Sequence, residues 1–336
     1  MNVSMQDGYN LGWKLGSVIN GWSSPDILQT YSPERRKVAQ DLIAFDHRLS
    51  RVFSGTPRPE ELEDVYKTNM IFLCGYGVHY APSVLTASSD KKTQSKPIAN
   101  AAPTVEAIPQ QATNVSLGRV LTPCPVLIHS NSRPVDLNHL MPSDGRWRLI
   151  VFPGDISDDS GLARLNKLGG RLAPLIRQYT VSRPSKHIHN NAHPDALPEI
   201  MSQSLIDLHV IHCVHGQPQA TVIDTRDLNE FHPAFFPLDE YSGHDYEKIF
   251  IDTDMSIYAD MYGGPGLKKA GKLYQTLGIS PVEGAMIITR PDQYVAWTGA
   301  LDDVKGVEDF FQGVLKSQVQ QNGHVNGHVN GNSVEA

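Results

Sequence analysis

The stretch LHVIHCVH, residues 208–215, sets His209, His212, Cys213 and His215 close together, all of them residue types that bind zinc. The surrounding LIDLHVIHCV reads as a strand, where side chains alternate faces and advance about 3.3 Å per residue. His209 and Cys213 then share a face about 13 Å apart, and His212 points the other way. Zinc bonds of about 2.0–2.3 Å cannot gather such a set. Structural histidines are expected. A second group, His187, His189 and His193 in KHIHNNAHPD, lies in a polar loop with no acid or thiol to complete an ordered ligand pattern. No metal centre is expected. GYGVHY and YGGPGL contain glycine pairs but neither fits the G-x-G-x-x-G turn of a dinucleotide site. Gly8, Gly12 and Gly16 recur every four residues in the opening helical pattern, and each costs about 1 kcal/mol relative to Ala. A helix carrying all three lets something approach its backbone: another helix, or a cofactor.

The chain that must position these residues has 336 residues, 40% hydrophobic and 19% charged, enough for two ordinary domains. Its formal charge of −7 offers no basic field for nucleic acid or an anionic membrane. No run of about 18 apolar residues occurs, and no basic segment precedes an apolar one at the start. Cys74, Cys124 and Cys213 are dispersed and odd in number, which suits a reducing, cytoplasmic setting. In the opening helix Asn2 or Ser4 could cap, and Leu11, Leu15, Val18 and Ile19 recur at helical spacing. Ser24-Pro25-Asp26 and Ser32-Pro33-Glu34 are both helix-start signals. After the second, Val38, Leu42, Phe45, Leu49 and Val52 form one apolar face, with Arg35, Arg36, Lys37, Asp41 and Arg48 on its solvated side. A further helix is expected from Pro59 toward Cys74.

Residues 87–116 are polar, Pro-bearing and without period, and read as a linker. Residues 117–317 form a second folded region. RWRLIVF, LIDLHVIHCV, ATVID, KIFIDT, EGAMIITR and QYVAW read as strands, with RPDQ as a hairpin turn between the last two. SGLARLNKLGGRLAPLIRQY and VKGVEDFFQGVL read as helices, the first with a weak point at Gly169-Gly170. This order implies an α/β fold in which a mixed sheet carries helices on both faces, as in thioredoxin-like domains. Redox members of that class place Cys-x-x-Cys at a helix N-terminus after an early strand. Here that place is VFPGDISDDSGL, without cysteine, so thiol–disulfide chemistry is not expected. Residues 318–336, with a repeated NGHV, read as a disordered tail.

The opening stretch supplies Met1-Asn2, Asp7, Asn10-Leu11 and Trp13-Lys14-Leu15 of the pattern M-N-x-x-x-x-D-x-x-N-L-x-W-K-L. Tyr31, Glu34 and Arg35 follow as Y-x-x-E-R, then Gly75, Gly77, Tyr80, Pro82 and Ser83, with Cys74 where a small residue is usual. IDLHVI at 206–211 and RPDQYVAW at 290–297 complete the set. In these motifs the chain resembles the C-terminal part of FAD-dependent aromatic hydroxylases of the phenol hydroxylase (phenol 2-monooxygenase) type. The resemblance implies that residues 1–86 are the helical end of an FAD-binding domain and 117–317 a thioredoxin-like dimerisation domain. It also implies FAD as cofactor, NADPH as reductant, a phenolic substrate hydroxylated ortho to its OH, and a homodimer.

By the same resemblance the opening helix turns its N-terminal amides toward the flavin's pyrimidine edge, where a helix terminus favours negative charge. Met1, Asn2 and Asp7 are the candidate cofactor contacts, with Asp7 and Asn10 also read as braces of the helix. No catalytic residue is assigned. The family's dinucleotide unit precedes this helix, so a truncated or partial enzyme is expected. The alternative is a non-catalytic association module that pairs with a full-length homologue.

Overall fold

RWRLIVF becomes an interior strand of a seven-stranded sheet, because its apolar run is stable only when covered on both faces. A computed structural model describes residues 2–55, 63, 70, 72, 74–88, 111–181, 204–213, 227–239, 243–252 and 272–318. Met1, most of the expected helix from Pro59, residues 89–110 of the expected linker, KHIHNNAHPD, His215, ATVID and the tail from 319 lie outside the described residues.

The helices are α1 (Asn2–Ile19), α2 (Tyr31–Ser54), α3 (Asp159–Gln178), α4 (Leu273–Leu277) and α5 (Val304–Val314). The sheet strands are β1 (Pro125–Ile128), β2 (Pro134–Asp136), β3 (Trp147–Asp155), β4 (Ile206–Cys213), β7 (Ile249–Asp252), β8 (Ala285–Thr289) and β9 (Val295–Gly299), and β5 (Leu238–Asp239) pairs with β6 (Gly243–His244) apart from it. The sheet order is β2-β1-β7-β4-β3-β8-β9. β3 runs parallel to β4, and β4 to β7; β8 is antiparallel to β3 and β9 to β8.

The strand period of two sorts β3 between two cores. Leu149 and Val151 join Leu208, Val210 and Met286 on one face, under α3 and α5. Ile150 and Phe152 join Ile211, Phe250 and Ile287 on the other, under α4 and the segment from Leu121 to Met141. Asp158 caps α3 by accepting from the Gly161 amide. The Gly169-Gly170 pair does not interrupt α3. A Cβ on Gly169 would sit 2.9 Å from His232 and Phe235, so the glycine lets the following loop close onto the helix.

The opening helix α1 packs on the same core as α3, whereas α2 joins a separate cluster in which Val38 meets Val78, Tyr80 and Tyr294. Trp13, Ile27, Leu85 and Ala87 belong to the core under α3, and the Trp13 ring meets Trp147 edge-on at 5.9 Å. Ser24 caps the short 3-10 turn Pro25–Thr30, as its position predicts. Ser32 does not cap the next helix: α2 already begins at Tyr31, and Ser32-Pro33-Glu34 falls inside its first turn. Among the described residues no helix is long and apolar enough to cross a membrane.

Candidate functional site

The opening helix is inverted relative to an ordinary amphipathic one. Its face toward the protein carries Asn10, Lys14 and Ser17 beside Trp13, all buried. Its outer face carries Met5 (60% exposed), Leu15 (38%) and Ile19 (80%). Leu15 and Ile19, which recur at helical spacing, therefore point away from the core among the described residues. Gly8, Gly12 and Gly16 accompany them: a Cβ at any of the three would meet nothing within 4 Å. Among the described residues no helix packs on that glycine stripe.

A buried helix face can be polar only if every group on it finds a partner. Here those partners gather around one arginine. Arg290, at the end of the strand β8, is fully buried and forks onto two carboxylates. Its Nη1 and Nη2 donate to Glu34 Oε1 and Oε2 at 2.8 and 3.1 Å. Its Nε and Nη2 donate to Asp292 Oδ1 and Oδ2 at 2.9 and 2.7 Å. Glu34 Oε2 also accepts from Lys14 Nζ at 2.7 Å and from Asn10 Nδ2 at 2.8 Å. Lys14 donates in turn to Asn10 Oδ1 at 2.8 Å. The Trp13 indole donates to Asp292 Oδ2 at 3.0 Å, and the Tyr9 hydroxyl to the Pro291 carbonyl at 2.7 Å. The guanidinium lies 4.8 Å from the Tyr80 ring centroid, 5.4 Å from Trp13 and 5.7 Å from Tyr294, within cation–π range.

The charges balance: Lys14, Arg35 and Arg290 face Asp7, Glu34 and Asp292. Burial by itself would raise the Glu34 carboxyl, but the Arg290 guanidinium and then Lys14 outweigh it and hold it at about 2. For Lys14 burial prevails over Glu34, with Arg290 adding repulsion, and the ammonium falls to about 8. The difference follows from geometry, because Arg290 is bidentate on Glu34 and Lys14 shares only one of its oxygens.

Asp7, a candidate cofactor contact, pairs with Arg35, whose Nη1 donates to the Tyr80 hydroxyl at 2.9 Å. That is the bracing role also expected of it. Arg35, expected on the solvated side of α2, is only 4% exposed, because Asp7, Tyr80 and the Val3 carbonyl draw it inward. Asn2 stands in the first turn of α1 and Met1 lies outside the described residues.

The histidines of β4 are held within the sheet. His209 Nε2 lies 3.1 Å from Asp207 Oδ2 and its ring stacks on Phe250, whereas His212 Nε2 meets His129 Nδ1 at 3.0 Å. Burial and then His129 push His212 down to about 3. Burial pushes the Cys124 and Cys213 thiols up to about 11 and 12, so neither supplies a thiolate near neutrality. Among the described residues no three His, Cys, Asp or Glu side chains are placed to hold a metal ion.

The residues that converge here are those of the sequence motifs: Trp13 and Lys14, Glu34 and Arg35, Tyr80, Arg290, Asp292 and Tyr294. The model of the phenol hydroxylase C-terminal dimerisation domain matches residues 78–319, most of the chain. The chain belongs to the phenol hydroxylase family of FAD-dependent monooxygenases. An FAD-binding-domain model matches residues 1–46, which hold α1 and most of α2. A phenol 2-monooxygenase of Aspergillus fumigatus is 30% identical over 94% of this chain and 44% of its own length. A 3-hydroxybenzoate 4-monooxygenase of Comamonas testosteroni is 31% identical over 94% of this chain and 44% of its own. The chain thus spans less than half the length of these curated relatives. The crystal structure of aklavinone-11 hydroxylase with FAD and aklavinone aligns over 93% of this chain and 39% of that one, at 15% identity and TM-score 0.43.

The family's motif residues therefore meet mainly one another. What sequence reading missed is the role of Arg290 and Asp292, read there as part of a turn and of a family motif but given no partner. Charged residues in a turn ordinarily face solvent. The signal available was that Arg290 and Asp292 bracket a proline between two apolar strands.

Proposed function

We propose that this chain forms the C-terminal part of a flavin-dependent aromatic monooxygenase that uses FAD, with NADPH as reductant, to hydroxylate a phenolic substrate ortho to its OH. The observation that carries this reading is the bare glycine face of α1, within the segment matched by the FAD-binding model. The residues present fit a flavin on one side only. The first turn of α1 holds no acidic residue, and its amides point away along the helix axis from the ionic network. Backbone amides from Asn2 onward, with Met1, would meet the pyrimidine edge, and Asp7 would act at the rim while paired to Arg35. Bound FAD supplies the oxygen chemistry; these residues orient it and favour negative charge beside the helix terminus.

We further read β4-β3-β8-β9 with α3 and α5 as a thioredoxin-like arrangement that serves association. Its support is the parallel β3–β4 pair joined through α3 and the antiparallel β8–β9 hairpin that leads into α5. Residues 1–86, 87–116, 117–317 and 318–336 remain the proposed divisions, and a cytoplasmic homodimer the proposed setting. The second reading, an association module without catalysis, draws on the dimerisation-domain match over residues 78–319.

The test is an NMR titration of the 336-residue chain with FAD. The purified chain is expected to be colourless and to bind FAD weakly, with shifts confined to amides of the first two turns of α1. Shifts elsewhere, or none at millimolar FAD, would remove the flavin-contact assignment. Sedimentation separates the second reading: a dimer without flavin response favours it.

A further inference from the structure

We propose that Arg290 is a positioning residue through which the C-terminal sheet domain sets the rotation and axial position of α1. The consequence for the cofactor rests on the reading of α1 as the flavin-facing helix; the lock itself does not.

The hydrophobic effect, which usually orients a helix on a core, acts weakly on this one. Much of the apolar surface of α1 faces outward, and Trp13 is its one fully apolar-bodied side chain buried in the main core. Orientation falls instead to directional bonds, and these converge on three consecutive residues of the β8–β9 turn. Tyr9 reaches the Pro291 carbonyl, Trp13 reaches Asp292, and Asn10 and Lys14 reach Arg290 through the shared Glu34 carboxylate. Positions 9, 10, 13 and 14 occupy one helix face at i, i+3, i+4 spacing. A slip of one residue along α1 would translate it by about 1.5 Å and turn it by roughly 100°, which removes all of these bonds together.

The planar guanidinium makes the lock specific. It satisfies two carboxylates in one plane while three aromatic rings, Trp13, Tyr80 and Tyr294, surround it. An ammonium could keep the charge but not both forks. The turn itself is rigid: Gln293 holds φ at 65° and donates to the Asn138 and Met141 carbonyls at 3.2 and 3.0 Å. Through it the sheet domain is coupled to the helix that the family's FAD-binding segment contributes. A shift of the hairpin relative to the core would move α1 with it.

The test uses Arg290→Lys in the full chain, with hydrogen exchange followed by mass spectrometry and the Trp13 indole resonance followed by NMR. Exchange in the peptide covering residues 9–16 should rise by about tenfold or more, while β3 and β4 amides keep wild-type protection. The Trp13 indole proton should shift, and that of Trp297 should stay. Because the change at 290 could destabilise the whole domain, Asp292→Asn serves as a second variant: it keeps the Glu34 fork and should disturb Trp13 with a smaller rise over 9–16. Wild-type exchange over 9–16 in Arg290→Lys would overturn the proposal. So would a uniform rise across α1 and the sheet, which would make Arg290 a stabilising residue without a positioning role. No flavin enters these measurements, so a flavin titration that fails leaves the lock standing, and the reverse holds as well.

Discussion

Replacing Glu34 by Gln changes almost no volume and removes the one carboxylate that α1, α2 and the β8–β9 turn all use. Four bonds end on its oxygens, two from Arg290 and one each from Lys14 and Asn10. The amide of Gln presents a donor where a donor already points. Lys14 and Arg290 are then left beside Asp292 as their remaining carboxylate, in a site where Glu34 itself is 6% exposed. Between the ordinary carboxyl value of 4.5 and about 2 lies a stabilisation of about 3 kcal/mol. Removing one partner of a buried ion pair generally costs about 3–5 kcal/mol, so the two routes agree. A depressed carboxyl pKa means that this contribution is fully present above pH 4.5 and is lost as pH falls toward 2. Urea unfolding of Glu34→Gln at pH 7, followed by far-UV circular dichroism, should therefore show a loss of about 3 kcal/mol. Its stability profile between pH 4.5 and 2 should also be flatter than wild type. A loss under about 1 kcal/mol at pH 7, with an unchanged acid profile, would refute the reasoning, since the Glu34 charge would then not be holding the network together.

Lys14→Met should stay within about 1 kcal/mol of wild type at pH 7 in the same assay, because relief of a desolvated ammonium offsets the lost bonds. Burial depresses Lys14 to about 8, so the native chain binds fewer protons than the unfolded one between pH 8 and 10.5. Wild-type stability should accordingly rise with pH across that window, and the variant should lack the rise. His212, held at about 3, should make wild-type stability fall as pH drops from 6.5 toward 3, and urea midpoints of His212→Gln should show that part of the profile flattened. With an aromatic disulfide reagent under native conditions, exposed Cys74 should react promptly while buried Cys124 and Cys213 wait for denaturant. Insulin-disulfide reduction by the native chain should be absent, and Ser at 124 or 213 should leave that result unchanged.

Element type was largely legible from sequence, because strand and helix periods are local properties. RWRLIVF, LIDLHVI, EGAMIIT and the RPDQ turn formed where their patterns placed them, and the capping Ser24 did too. The alternation rule also separated His209 from His212, which meet Asp207 and His129 respectively. The motif residues identified the family without revealing what they touch. Only the tertiary structure decided which face of α1 is buried. Its apolar spacing identified a helix, yet Leu15 and Ile19 face outward while Asn10 and Lys14 go inward. Arg35 moved from the solvated side of α2 to the interior for a related reason. Burial of a charge is decided by partners distant in the chain: Glu34 and Arg290 are 256 residues apart, and the pair exists only once the sheet brings the hairpin to the helices. Apolar burial can be read from one segment at a time, whereas a buried ion is stable only in the company of groups that no local pattern contains.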